Sequence, residues 1–135
     1  MPSHSSPRIP VSWGELLDKI TILQIKRERI ADRTARENVS VELAQLREVA
    51  TQVLQCGGVA PLLDRLKAIN EGLWDIEDAI RREEARARFG PEFIGLARSV
   101  YRQNDRRAAL KREINELLKS ELVEEKSYWP AVIDA

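Results

Sequence analysis

The chain has one cysteine, Cys56, and one histidine, His4, among its 135 residues. One thiol leaves no disulfide framework within the chain and no thiolate cluster for zinc. One imidazole, in a Ser/Pro-rich start, removes His-based zinc sites, haem ligation and His-assisted nucleophiles together. The acids and bases are equal, 22 of each, so no overall field draws the chain to nucleic acid or to an anionic membrane. No apolar run approaches the length of a membrane span, and the start carries no signal-peptide core. Only 6 glycines and 6 prolines are present, no glycine-rich phosphate loop can be found, and Ser99 and Ser120 have no base partner in the sequence. A cytoplasmic, reducing setting is the expectation, with Cys56 a buried, inert thiol on an apolar helix end.

What is present is amphipathic helix. The composition, 43% hydrophobic and 33% charged with few aromatics, suits one small all-α domain. Residues 1–10, MPSHSSPRIP, read as a flexible leader, 11–120 as a single helical domain, and 121–135 as a tail that docks. Ser12 with Glu15 forms a capping box, and Val11 with Leu16 a hydrophobic staple. The first helix is predicted to run to about Arg33. Its row is Trp13, Leu16, Ile20, Leu23, Arg27, Ile30, where only Arg27 is polar.

The polar stretch ADRTAREN is predicted to separate this helix from a second, capped by Asn38 or Ser40. Its stripe of Leu43, Leu46, Ala50 and Val53 is closed by Gly57-Gly58. A third helix is expected from Pro61 with an unbroken heptad seam, Leu62, Leu66, Ile69, Leu73, Ile76, Ile80. After Gly90-Pro91 a fourth carries Phe93, Leu96, Val100, Gln103, Arg107, Leu110, Ile114 and Leu117. The expected fold is therefore all-α: a bundle of about four helices dominated by a long antiparallel hairpin, 61–89 against 91–119.

Gln103 and Arg107 interrupt that last row. Residues equidistant from the Gly90-Pro91 break face one another in a hairpin, so Arg107 is expected over Trp74, with Asp75 and Asp78 beside it. By the same count Gln103 and Asn104 oppose Asp78 and Glu77, and Arg98 opposes Glu83 and Glu84. The bland reading is a polar layer that sets register, the acids of one helix acting as internal counter-charges for the other. In the sharper reading Arg27 shares a layer with Arg107 as an anion-binding site for a carboxylate or phosphate, rimmed by Arg98, Arg102 and Lys111.

Four blocks, VSWGELLDKITILQIKRERI (11–30), LWDIEDAIRREE (73–84), FIGLARSVYRQNDRRAALKREIN (93–115) and EEKSY (124–128), resemble a bacterial domain family of short helical proteins with no assigned function. The resemblance covers nearly the whole chain after residue 9. It implies a coherent domain and an association with glycosyltransferase-type proteins of envelope-sugar systems, but no catalytic residue.

The resulting expectation is a non-enzymatic interaction or scaffolding module. It would be a homodimer with Ile22 and Ile25 as the dimer face, and another protein is a further possible partner. No catalytic residue, metal, cofactor, nucleic acid or membrane span is assigned. The alternative is a small all-α enzyme or sensor for an anionic metabolite such as a carboxylate, phosphate or nucleotide sugar. Its layout is similar to the helical chorismate mutases, without their active-site spacing. A magnesium pyrophosphatase built on Asp75 and Asp78 is disfavoured, because Arg102, Arg106 and Arg107 opposite would repel the ion. For the tail, Leu122, Val123, Tyr128 and Trp129 point to a latch rather than a docking peptide.

Overall fold

A computed structural model describes residues 3–129. The described residues contain four helices and no strand: α1 (Trp13–Arg29), α2 (Arg33–Leu54), α3 (Val59–Ala85) and α4 (Pro91–Leu117). The protein is an all-α bundle, as its periodicity implies.

The start of α1 follows capping chemistry. The Ser12 hydroxyl accepts from Glu15 N at 3.1 Å, half of the expected capping box. The Glu15 carboxylate does not complete it but accepts from Lys111 on α4 at 2.7 Å. Val11, the outer member of the expected staple, remains 44% exposed.

The first boundary differs from the expected one. α1 stops at Arg29, Ile30 is extended, and Asp32 caps α2 by accepting from Ala35 N at 2.9 Å. The stretch read as a link is thus the opening of α2. Its side chains are almost all exposed, so no apolar period marks it as helix.

At the second boundary Gly58 takes φ +90° and a Cβ there would meet Leu117 Cδ2 at 3.2 Å, so glycine serves both the turn and the close approach. α3 starts two residues before Pro61, which still lies where no intrahelical acceptor exists for its missing N–H. Cys56 is exposed rather than buried, because the chain has left α2 before reaching it; its thiol faces Gln52 O at 3.8 Å. Residues 86–90 link α3 to α4, with Ala87 left-handed at φ 54° and Arg88 N donating to Glu83 O at 2.9 Å.

α1 touches all three other helices, while α3 and α4 make the most extensive pairing. Arg65 near the start of α3 meets Glu113 near the end of α4 at 3.7 Å, as helices of opposite direction would have it. The core gathers Leu17, Ile20 and Leu23 of α1 with Leu43, Ala50 and Val53 of α2, Val59 and Leu66 of α3, and Leu110 and Ile114 of α4. On α3 and α4 it occupies one end only. Leu73, Ile76, Ile80, Phe93, Leu96 and Val100, the rest of the predicted seam, are no more than half-buried. α1 has 17 residues and α3 27, or about 25 and 40 Å at a rise of 1.5 Å. The longer pair therefore projects as an arm.

Central α1 comes close to α4 at Gly14, where a Cβ would stand 2.5 Å from Lys111 O and 3.0 Å from Asn115 Oδ1. Gly14→Ala is expected to destabilise the fold by about 1–3 kcal/mol in urea unfolding, although alanine is the better helix former by roughly 1 kcal/mol. A neutral or stabilising result would show that α1 and α4 are not held this close.

Candidate functional site

The polar interruption of α4 does find a carboxylate, but on α1. Asp18 is 1% exposed. Arg107 grips it bidentately with one edge of its guanidinium: Nε donates to Oδ1 at 2.9 Å and to Oδ2 at 3.1 Å, and Nη2 donates to Oδ2 at 2.5 Å. Asn70 of α3 donates its amide to Asp18 Oδ1 and to Thr21 Oγ1, each at 2.9 Å. The Thr21 hydroxyl in turn donates to Asp18 O at 2.7 Å. Among the described residues no buried side-chain nitrogen or oxygen lacks a partner, which a polar cluster in this position requires.

A second tier sits one turn along α4. The Lys111 side chain is 8% exposed; its ammonium donates to Glu15 and to Glu124, each at 2.7 Å, and lies 3.9 Å from Asp18 Oδ2. Asn115 Oδ1 accepts from Gly14 N at 2.7 Å, and Ser120 Oγ accepts from Trp13 N at 3.3 Å. Thus α4 and the residue after its last turn satisfy N–H groups at the start of α1 that have no intrahelical acceptor. Arg112 meets Glu125 at 2.9 Å and Lys126 meets Glu124 at 3.5 Å. Beside this tier lies a hollow of about 170 Å³ lined by Ala108, Lys111, Arg112, Asn115 and Glu124 among others.

Arg107, Lys111 and Glu124 are each shifted toward the charged form by their partners. The hydrogen bond to Asp18 raises the Arg107 pKa. Burial alone would lower Lys111, but its bonds to Glu124 and Glu15 outweigh that and raise it. Glu124 is lowered, first by its bond from Lys111. Arg107, Lys111, Arg112 and Lys126 stand against Glu15, Asp18, Glu124 and Glu125, four cations to four anions. The cluster carries no surplus charge.

Other expected site residues fall elsewhere. Arg27 is half-buried and lines an open hollow of about 660 Å³ with Arg33, Arg36, Glu37 and Ser40. Nine residues separate it from Asp18, which at about 100° per residue places it on the opposite side of α1. Arg27 and Arg107 therefore do not share a layer. The guanidinium over Trp74 belongs to Arg29, 6.0 Å from the ring centroid, and it takes Asp75 at 2.5 Å and Glu71 at 3.9 Å.

The expected ladder of acids on α3 against bases on α4 is not formed. Glu77 pairs within its own helix with Arg81 at 3.8 Å. Asp78, Glu83 and Glu84, like Arg98 and Arg102, have no ion-pair partner among the described residues. Gln103 and Asn104 are half-buried at the base of the arm. The reason is that α1 lies along both helices, so an arginine on α4's inner edge meets a desolvated carboxylate before it reaches an exposed one.

Ile25 is 1% exposed and Ile22 half-buried, so α1's second apolar face is covered by its own bundle. In the tail, carboxylates rather than apolar groups make the contacts: Leu122 and Val123 are 44% and 43% exposed, Tyr128 72% and Trp129 92%. Residues 130–135 of the expected latch lie outside the described residues. Asp18 and Asn70 were missed in the sequence reading, although both carry a signal. Asp18, Thr21 and Ile25 recur on one face of α1, and Asn70 follows Ile69 in the third helix's seam.

Arg107→Ala leaves the buried Asp18 carboxylate with only the Asn70 amide as a hydrogen-bond donor and the Lys111 ammonium at 3.9 Å, at an expected cost of about 3–5 kcal/mol. An Asp18→Leu/Arg107→Met double variant should lose clearly less than the two single changes combined, since neither charge is stranded. Urea unfolding of the four proteins measures the coupling. Additive losses would mean the pair is not the buried bidentate one.

Over residues 8–134 the chain matches the model of a family of unknown function (DUF6165), and it belongs to that family. No curated protein and no solved structure matches it.

Proposed function

We propose that this member of a family of unknown function is a non-enzymatic helical interaction module, homodimeric, whose working surface is the α3–α4 arm. One observation carries the reading: past the reach of α1 the two helices have only each other, and apolar residues on their flanks and at their tip stay exposed. Ile94 is 53% exposed, Phe89 54% and Tyr101 37%, while the two phenylalanines at the tip, Phe89 and Phe93, stack edge-on at 5.3 Å. A helical pair with apolar surface on its flanks gains by burying it against other helices, and a domain this small gains stability from association.

The buried charge cluster supports the same choice. A catalytic or sensing layer for an anion needs cationic donors with unmet demand, whereas here Arg107 and Lys111 are fully engaged by carboxylates of the chain itself. Among the described residues no group of three or more His, Cys, Asp or Glu is placed to hold a metal ion, and no helix is long and apolar enough to cross a membrane. The setting that goes with the reading is the cytoplasm. The resemblance noted above adds glycosyltransferase-type proteins as a second class of partner.

A second reading, an anion-binding sensor or small enzyme, is favoured by a different place: Arg27, Arg33 and Arg36 converge on the open hollow at the first turns of α2. Arg33 is engaged by Glu37 at 3.1 Å, which leaves Arg27 and Arg36 to hold a carboxylate or phosphate.

Light scattering separates the two. The parent should be dimeric at high micromolar concentration, and Ile94→Asp with Tyr101→Asp should weaken the dimer by tenfold or more, about 1.4 kcal/mol, with unchanged helicity. A strict monomer at that concentration removes the homodimer. A melting-temperature rise with phosphate, dicarboxylates or a nucleotide sugar that disappears in Arg27→Ala would install the second reading instead.

A further inference from the structure

The chain reverses at the end of α4. Lys119 adopts φ 51°, Ser120 N donates to Asn115 O at 2.8 Å, and Ser120 Oγ donates to Leu122 O at 2.7 Å. The tail then runs back beside α4. Glu124 and Glu125 are pinned to Lys111 and Arg112, at 2.7 and 2.9 Å, and Lys126 reaches the hollow beside Ala108 and Ala109.

Further along that flank of α4, on a side that also carries exposed Asp105, lies a stripe of half-buried Ala108 and exposed Tyr101, Ala97 and Ile94. Their spacing of seven, four and three residues keeps them on one side. Arg112, four residues beyond Ala108, continues the same side. The tail thus points along this stripe, and its next aromatic residues, Tyr128 and Trp129, are 72% and 92% exposed. An indole is among the costliest side chains to leave in water.

The reach fits. Four extended residues from Glu125 to Trp129 span about 13 Å, equal to roughly nine residues of helix rise. Counted back from Arg112, that brings Trp129 to the level between Tyr101 and Asp105. Lys126, which lines the hollow beside Ala108, has its Nζ 5.7 Å from the Tyr128 ring centroid.

We infer that the segment Lys126–Trp129 closes as a strap on α4 of its own chain, laying Trp129 against Tyr101 and covering the stripe from Tyr101 to Ala108. The occupant is this chain's tail rather than a second copy, because Glu124 and Glu125 already fix its origin and direction on the same helix. The consequence for function rests on the arm being the interaction surface: the strap and a partner compete for Tyr101, so the closed tail holds the arm in a non-associating state.

The strap itself is tested by cross-linking in the full chain with Cys56→Ser. Asp105→Cys combined with Tyr128→Cys keeps Tyr101 and Trp129 and places the two thiols at one level when the strap is closed. A disulfide needs Cα atoms within about 7 Å. Mild oxidation should give an intramolecular bond, read by mass and by mobility on a non-reducing gel, and adding Trp129→Ala should slow it about tenfold. A control pair, Arg36→Cys with Tyr128→Cys, should stay reduced. A bond forming no faster than in the control, or forming between chains, overturns the strap.

Light scattering on Trp129→Ala in the otherwise native chain tests the competition, with a dimer tightened about tenfold as the expected result. A dimer unchanged or weakened overturns the competition. If parent and Trp129→Ala both stay monomeric while the intramolecular disulfide forms, the strap stands and the homodimer reading is what fails.

Discussion

The buried carboxylate of Asp18 is the constraint to which the arrangement of helices answers. A charge removed from water costs several kcal/mol unless its lone pairs are met by donors of good geometry. Here α3 supplies Asn70 and α4 supplies the guanidinium fork of Arg107. One side chain thereby fixes the rotation and height of α3 and α4 relative to α1. An apolar seam alone tolerates sliding by a heptad, but a bidentate pair with a fixed amide beside it does not. Such a cluster is weak evidence for added stability. Its effect is on register, and the register it sets brings Lys111 to Glu15 and Asn115 to the first N–H groups of α1.

On α3 and α4 the four-helix part ends about one turn beyond this layer. Above it Arg29 closes off α1 on Trp74 and Asp75, and nothing from α1 or α2 follows α3 and α4 further. The unbroken heptad row is therefore compatible with two environments along one helix. Leu66 is fully buried, while Leu73, Ile76 and Ile80 are half-buried. A two-helix coil buries only its seam, and its flanks stay wet. The arm is a direct result of helices of unequal length sharing one core.

This also explains what could be read from the residues and what could not. Helix number, the strong apolar rows and the interruption at Gln103 and Arg107 follow from periodicity, which depends only on a helix burying one side. The start of α2 was not legible because its first turns bury almost nothing, so a capping aspartate was the only mark, and it stood inside a polar run that resembles a loop. The partner of Arg107 was not legible from hairpin geometry alone. Counting from the turn ranks α3 residues by height and says nothing of a third helix lying along the groove. Arg29 takes the place over Trp74 expected for Arg107 for that reason. Cys56, expected to be buried on an apolar helix end, is exposed because the chain has already turned toward Gly58.

The tail is held differently from the core, and that difference permits it to move. Asp18 has no water to return to, so its partners cannot be released singly. The Glu125 and Arg112 side chains are 76% and 49% exposed, and such a pair contributes roughly 0–1 kcal/mol. Glu124 is more firmly placed on Lys111, yet Lys111 keeps Glu15 at 2.7 Å and Asp18 at 3.9 Å when the tail departs. Two cations, Arg107 and Lys111, then face two anions, Asp18 and Glu15, and the interior remains neutral. Release of the tail strands no buried charge, so the strap opens and closes on the bundle without reaching the interaction that orders it. A segment coupled to the core through a necessary counter-charge would instead melt the helices whenever it let go.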